Sequence, residues 1–387
     1  MKKIKNIDVV TKDGVLENYE VLIKDGIIQK IAYSIEDEGI NEIIDGQGGY
    51  LVPGFIDIHS DYIEQLAAPR VTSVMDFSLA LYEFERELVT HGITTMYHSI
   101  SFLKETGKKA LRKPENVKKM IELIDKSHKQ LHLVHHRFHL RLELDNIDVY
   151  NDVVNYIKED KVHLISFMDH TPGQGQYRDL EIYKKSYLND EGLTEEQVNQ
   201  KVNDLMTKEK LTLDKIIKIA DLAKEKKIPI ASHDDDTLEK LEVIKNFHAT
   251  ISEFPITMEV LEEAYKQGFD TVVGAPNILL GGSHAGNLSA KEAIDSGCAK
   301  ILCSDYYPAS LLHAVFMMVD QGQPLHEMIN KVSLNAAKAV NIDHEVGSIE
   351  VGKKADMLIV MRLPDKYPAI THVFVEGVLV SNMNYRV

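Results

Sequence analysis

The chain has 387 residues, of which 44% are hydrophobic and 27% charged, with a formal net charge of −16. The acidic balance argues against a nucleic-acid partner, and no apolar run approaches the ~18 residues needed to span a membrane. The chain reads as globular, a local basic pocket can still hold an anionic small molecule, and the cytoplasm is expected because the basic start Met1-Lys2-Lys3-Ile4-Lys5 lacks the apolar core of a signal peptide.

The first fifty residues read as β-structure. Val9-Val10-Thr11 and Tyr19-Glu20-Val21-Leu22-Ile23 flank the turn former Asp13-Gly14, and Lys24-Asp25-Gly26 makes a second hairpin turn. From residue 53 onward, short apolar runs alternate with longer amphipathic stretches, the pattern of successive βα units. The runs are Phe55 to His59, Thr94 to Ile100, part of Leu131 to Leu144, Val162 to Met168, Ile228 to Ser232, Ala249 to Glu253, Thr271 to Val273 and Lys300 to Ser304. Eight strands close a (β/α)8 barrel, so an α/β, TIM-like barrel over residues 53–344 is expected. Helices are expected at Ser78 to His91, Pro114 to Gln130, Thr212 to Lys226, Ile256 to Gly268 and Ala290 to Gly297. The stretch 171–211 far exceeds the ~2–6 residues of an ordinary βα loop and reads as a solvated helical insertion over the active face. The last forty residues return to short, Gly-punctuated strands, so residues 1–52 and 345–387 are expected to pair into one small β-sandwich. Cys298 and Cys303 fit neither a disulfide framework nor a Cys-x-x-Cys motif and read as core residues.

The unusual polar residues fall at the strand C-terminal ends, which in such a barrel converge on one face. His59-Ser60-Asp61 closes an apolar strand, and residues two apart on a strand face the same way, so His59 and Asp61 are expected to grip one cation. Further along stand His98, then His139, Arg141 and Glu143, then Asp169-His170, His233, Glu253, Asn277 and His284, and Asp305. His233 ends the apolar run Ile228-Pro229-Ile230-Ala231-Ser232, where a neutral imidazole suits a divalent ion. Other polar residues have ordinary readings. His135-His136 reads as a strand edge, His91 and His248 as helix ends, and one carboxylate of Asp234-Asp235-Asp236 as the cap of a helix from Thr237 to Phe247.

Val52-Pro53-Gly54-Phe55-Ile56-Asp57-Ile58-His59 and Gly347-Ser348-Ile349-Glu350-Val351-Gly352-Lys353-Lys354-Ala355-Asp356-Met357 resemble the flanking motifs of the amidohydrolase superfamily. Within it, six blocks resemble the phosphonate-utilisation branch: His139-Leu140-Arg141-Leu142-Glu143, Met168 to Gln174, Ser252-Glu253-Phe254-Pro255, Gly274-Ala275-Pro276-Asn277, Gly281 to Asn287 and Ser304 to Leu312. Two features depart from most of the superfamily, His59-x-Asp61 in place of His-x-His and Glu253 in place of His. The stretch Ala68 to Phe77 also lacks the Trp associated with the phosphonate branch.

The resemblance implies a hydrolase holding one or two divalent ions, zinc first and manganese or iron as alternatives, which supply hydroxide at neutral pH. His59, Asp61 and His233 are the expected ligands, Glu143 a bridging or additional one, and Asp169 and Glu253 further candidates. Asp305 holds the position that in the superfamily takes the proton from the attacking water. The substrate is expected to be small and anionic, a ribose phosphonate 5-triphosphate losing pyrophosphate. Arg70, Arg137, His139, Arg141, His170, Arg178, Asn277, His284 and Asn287 are the candidates to bind it, Arg because its fork matches phosphate oxygens. A C–N bond of a cyclic amide or a deaminated base is the alternative substrate, and a homo-oligomer is left open.

Overall fold

The computed structural model describes residues 1–70, 73–102, 110–173, 175, 180, 181, 184, 194–282 and 287–386. The N-terminal strands are β1 (Lys2–Thr11), β2 (Gly14–Lys24), β3 (Ile27–Ala32) and β4 (Glu42–Pro53). The barrel strands are β5 (Phe55–Ser60), β6 (Ile93–Ser101), β7 (His135–Glu143), β8 (Leu164–Met168), β9 (Ile230–His233), β10 (Ile251–Glu253), β11 (Asp270–Gly274) and β12 (Ile301–Cys303). The chain returns through β13 (Met357–Arg362), β14 (Pro368–Val375) and β15 (Val378–Asn382).

All eight expected barrel strands form, and they pair in chain order, parallel, from β5 to β12. The seam between β12 and β5 closes just beyond the strands: Ser60 bridges Asp305, the Asp305 N–H donates to the His59 carbonyl at 3.0 Å, and the Asp61 N–H donates to the Asp305 carbonyl at 3.0 Å. Asp305 takes φ = 57° to make this turn. The first and eighth strand ends, which carry His59 and Asp305, are thereby fixed to one another.

Alternation sorts the barrel residues. Ile56, Ile58, Tyr97, Leu164, Ala231, Ile251, Val272 and Ile301 fill the interior, where Ala336, Ala337 and Val340 pack against them. Phe84, Leu88, Met120, Ile124, Ile157 and Ile219 belong to the larger core between strands and helices. Each such side chain contributes about 1.5–3 kcal/mol when fully buried. Cys303 lies in the interior core as expected, whereas Cys298 is only half-buried and packs against the larger core between strands and helices.

Both chain ends build one seven-stranded sheet in the order β15-β14-β13-β4-β1-β2-β3. It curls over on itself: Ile28 N–H donates to the Lys353 carbonyl at 2.9 Å and Ala355 N–H to the Gly26 carbonyl at 2.8 Å. The enclosed core is Ile4, Ile7, Val9, Val21, Ile23, Ile28, Leu51, Met357, Ile359 and Phe374. Gly54 joins this unit to the barrel, and a Cβ there would meet Thr94 Oγ1 at 2.2 Å, so glycine is required by close approach.

In the insertion, Thr194 and Gln197 form a reciprocal capping box at the start of the helix Glu195–Met206. One cap differs from expectation. Thr237, not an aspartate, caps the helix Leu238–Lys245 by accepting from the Lys240 N–H at 3.1 Å. The aspartates are drawn elsewhere: Asp235 accepts from Ser232 and Ser252 hydroxyls inside the barrel, and Asp236 accepts from the Gly175 N–H at 2.8 Å. Among the described residues no helix is long and apolar enough to cross a membrane.

Candidate active site

Three buried side chains from three strand ends converge at the C-terminal mouth of the barrel. His59 Nδ1 lies 3.0 Å from Glu253 Oε1, and His233 Nδ1 lies 3.3 Å from Glu253 Oε2. The two imidazoles stack with centroids 5.2 Å apart, and the Phe254 ring stands edge-on to both. Glu253 itself is fully buried and braced by the Ser166 hydroxyl, which donates to Oε2 at 2.7 Å. Behind Ser166 sits His139, its Nε2 2.5 Å from that hydroxyl and its Nδ1 2.9 Å from both Ser99 Oγ and the Ile58 carbonyl.

The electrostatics suit a cation. Burial opposes ionisation of Glu253, but His59 and His139, with His233, outweigh it and hold the carboxyl well below its usual range. Burial lowers His233 below the ordinary histidine value against the pull of Asp234, and lowers His139 to about 3. An ionised carboxylate facing the neutral imidazole of His233 suits a metal ion.

A second group adjoins the first through His233, whose Nε2 lies 3.6 Å from Asp234 Oδ2; His170 Nε2 is 3.4 Å from the same oxygen. His170 Nδ1 is 2.7 Å from Glu143 Oε1. Burial works against a charge on His170, but Glu143 and then Asp234 prevail and lift it to about 9. Arg141 closes the array, with Nη2 3.4 Å from His233 Nε2 and Nη1 3.9 Å from Asp61 Oδ2. Arg112 binds Asp61 at 3.1 Å and Glu64 at 2.6 Å.

The chain matches the amidohydrolase family over residues 50–380. The chain belongs to that family. α-D-ribose 1-methylphosphonate 5-triphosphate diphosphatase of Escherichia coli K12 is 34% identical over 343 residues, 87% of this amidohydrolase and 89% of that protein. Imidazolonepropionase of a Geobacillus strain is 37% identical over 90 residues, 22% of this chain and 21% of that one. N-acetylglucosamine-6-phosphate deacetylase from Pasteurella multocida shares the fold, with a TM-score of 0.67 at 14% identity over 98% of this chain and 100% of that chain. This amidohydrolase is therefore a hydrolase, of a family that generally uses divalent metal ions.

The residues at the mouth fit such an ion. His59 Nδ1 and Glu253 Oε1 are both fully buried and, although 3.0 Å apart, are not aligned as donor and acceptor; neither has a hydrogen-bond partner among the described residues. Two buried polar atoms this close together and without hydrogen-bond partners fit the ligand atoms of a shared cation.

Of the residues expected from the sequence, His59, His233 and Glu253 come together, and Glu143, His170 and Arg141 line the adjoining side. Asp61 turns to Arg112 and Arg141, because β5 ends at Ser60 after a slip in its pairing with β6 and the two-residue alternation does not extend to it. Asp169 is engaged by Lys210 at 2.7 Å and by the Thr171 hydroxyl at 2.6 Å. Asp305 Oδ2 lies 3.8 Å from where a Cβ on Gly274, the last residue of β11, would stand. His139 serves Glu253 from beneath rather than facing the mouth, and Arg137 sits at the far end of β7 against His128. Arg70 is exposed, while Asn277 and Asn287 are half-buried after β11. Arg178 and His284 lie outside the described residues.

Several contributors escaped the sequence reading. Ser166 had a signal, a lone hydroxyl within the apolar run Leu164-Ile165-Ser166-Phe167-Met168, which burial obliges to find a partner. Asp57 had one too: it is fully buried on β5, and its Oδ1 accepts from the His59 and Ser304 N–H groups at 3.2 Å each, pinning both seam strands. Burial pushes it up to about 6. Arg112 and Lys210 arrive from outside the strands, and nothing in their spacing marks them.

Proposed function

We propose that this amidohydrolase is a metal-dependent diphosphatase that cleaves a phosphoric anhydride of a ribose phosphonate 5-triphosphate and releases pyrophosphate. The observation that carries the reading is the guanidinium of Arg141 held beside His233, next to the ligand set, where a polyanion must be neutralised. The resemblance to the Escherichia coli enzyme over nearly its whole length supports the same substrate class.

His59, His233 and Glu253 would hold the ion, with Asp234 and His170 adjacent for a second; zinc suits this nitrogen and oxygen set, and manganese or iron are alternatives. Bound there, a divalent cation supplies Lewis-acid polarisation and lowers the pKa of water. Arg141 orients phosphate oxygens by paired N–H donation. With a single ion bound, cationic His170 adds positive charge on the same side. Asp305 accepts the proton as water oxygen bonds to the α-phosphorus and the α–β bridging bond breaks, so that water plus triphosphate gives monophosphate plus pyrophosphate. The fixed seam between β12 and β5 keeps that carboxylate registered to His59.

Phosphorus NMR tests the reading, with metal-reconstituted protein and a ribose 5-triphosphate bearing a 1-methylphosphonate. Pyrophosphate should accumulate with the native chain and not with Asp305→Asn. A metal-loaded chain that leaves the triphosphate intact would move the assignment to a C–N bond substrate.

A further inference from the structure

At the opposite end of the barrel a second set of ligand-type side chains is assembled, with no part in the site above. Glu85 projects from the helix Phe77–Thr90, His132 lies in the segment leading to β7, and His136 is the second residue of β7. Glu143 lies seven residues beyond His136 along β7, roughly 23 Å at ~3.3 Å per residue. We propose that Glu85, His132 and His136 form a separate divalent-cation site, of zinc type, that ties this helix to the barrel wall.

The geometry is that of three ligands around one centre. Glu85 Oε2 lies 3.1 Å from His132 Nδ1 and 3.3 Å from His136 Nε2, and the three ligand atoms all fall within 4.8 Å of one another. Tetrahedral zinc with bonds of about 2.0–2.1 Å sets its ligand atoms about 3.3 Å apart. Without an ion, the single oxygen Oε2 faces both imidazoles and the Leu133 N–H, the last at 3.2 Å, all at the long end of hydrogen-bond range.

The surroundings supply the outer support that metal-bound histidines require. The other nitrogen of His136, Nδ1, is 2.9 Å from His98 Nε2, and the two rings stack with centroids 5.2 Å apart. A His136 that binds the ion through Nε2 keeps its proton on Nδ1 and donates it to His98. Glu85 and His136 are buried, and the His132 side chain, only 8% exposed, lies beside Tyr82. This end of a barrel serves stability rather than catalysis, which makes the ion a structural one.

The test uses the full chain, stripped with chelator, reloaded with zinc, desalted and assayed for zinc per chain. The native protein should retain one equivalent more than His132→Gln or Glu85→Gln, and cobalt substitution should show tetrahedral absorption in the native chain that diminishes in both variants. Zinc should also raise the Tm of the native protein by more than that of His132→Gln. His132 is the least buried of the three, so His132→Gln keeps the test open should Glu85→Gln not fold. A folded His132→Gln chain with undiminished zinc content and an unaltered cobalt spectrum overturns the proposal. Because His132 is remote from His59, His233 and Asp305, hydrolytic turnover reports on the other site independently.

Discussion

His59 Nδ1 and Glu253 Oε1 meet 3.0 Å apart in complete burial, from strands on different sides of the barrel, and do not hydrogen-bond. If the pair exists to share a cation, then Glu253→Gln, which preserves volume and removes the charge, should weaken metal binding strongly. A loss of about 100-fold or more is expected, since even outer partners of metal ligands contribute about 10–100-fold. Competition against a graded chelator series measures it, and unchanged affinity would show the pair to be purely structural.

Asp305 should separate binding from turnover. Asp305→Asn keeps the backbone bridge to Ser60 and His59, which uses only main-chain atoms. The barrel should therefore fold and load metal normally while kcat falls about 10²–10⁴-fold, the usual contribution of a positioned base. Equal kcat in a metal-replete variant would assign the proton transfer to another group.

Arg141 is expected to govern affinity for anionic substrate. Arg141→Ala removes charge-assisted hydrogen bonds of about 1.5–3 kcal/mol, roughly 10- to 150-fold in kcat/KM. Arg141→Lys should recover only part of this, because a point charge does not reproduce the planar fork. Steady-state kinetics on a triphosphate and on its shortened monophosphate counterpart would show the loss concentrated on the triphosphate. Equal losses on both would mean that Arg141 acts through Asp61 and His233 instead.

Gly54 should resist substitution for steric reasons alone. A Cβ there meets Thr94 Oγ1, Cγ2 and Cβ at 2.2, 2.5 and 2.9 Å. Gly54→Ala is expected to cost about 1–3 kcal/mol. Gly54→Ala combined with Thr94→Ser, which removes one of the clashing atoms, should recover part of that in urea unfolding.

The barrel was legible because its signal is repetitive: eight apolar runs separated by amphipathic stretches leave few other ways to bury the chain. The histidine and carboxylate ends of those runs were legible for the same reason, since the strand C-termini must share a face. What could not be read was the direction of a side chain just past a strand end. Asp61 obeyed the two-residue spacing from His59 on paper, but β5 stops at Ser60 and the carboxylate turns to two arginines. Asp234 was taken for a cap candidate because three aspartates precede a helix, whereas Thr237 caps it and Asp234, with φ = 52°, lies beside His170 and His233. Arg112 comes from a single 3-10 turn, Ala110–Arg112, too short for sequence periodicity to place it.

Acid stability offers a further test at the start of β7, where His128 Nδ1 lies 3.1 Å from the His136 carbonyl. His163 Nδ1 accepts the Phe138 N–H at 3.0 Å, which a protonated nitrogen could not do. His128 packs edge-to-face on that ring at 4.4 Å and touches Arg137, with Asp125 and Lys129 also near. Burial, reinforced by Arg137, lowers His128 to about 4, and burial with His128 and Arg137 lowers His163 well below its ordinary value. Both groups therefore bind protons more readily in the unfolded chain, whose histidines titrate near 6.5. Where the unfolded state binds more protons, stability rises with pH, so this cluster should be neutral to stability above about 7 and increasingly unfavourable as pH falls from about 6.5 toward 4. Urea midpoints at pH 7.5 and 5.0 should show that drop in the native chain. His128→Asn should show a smaller drop, because its side chain no longer gains a proton on unfolding. A variant whose drop matches that of the native chain would place the acid sensitivity elsewhere.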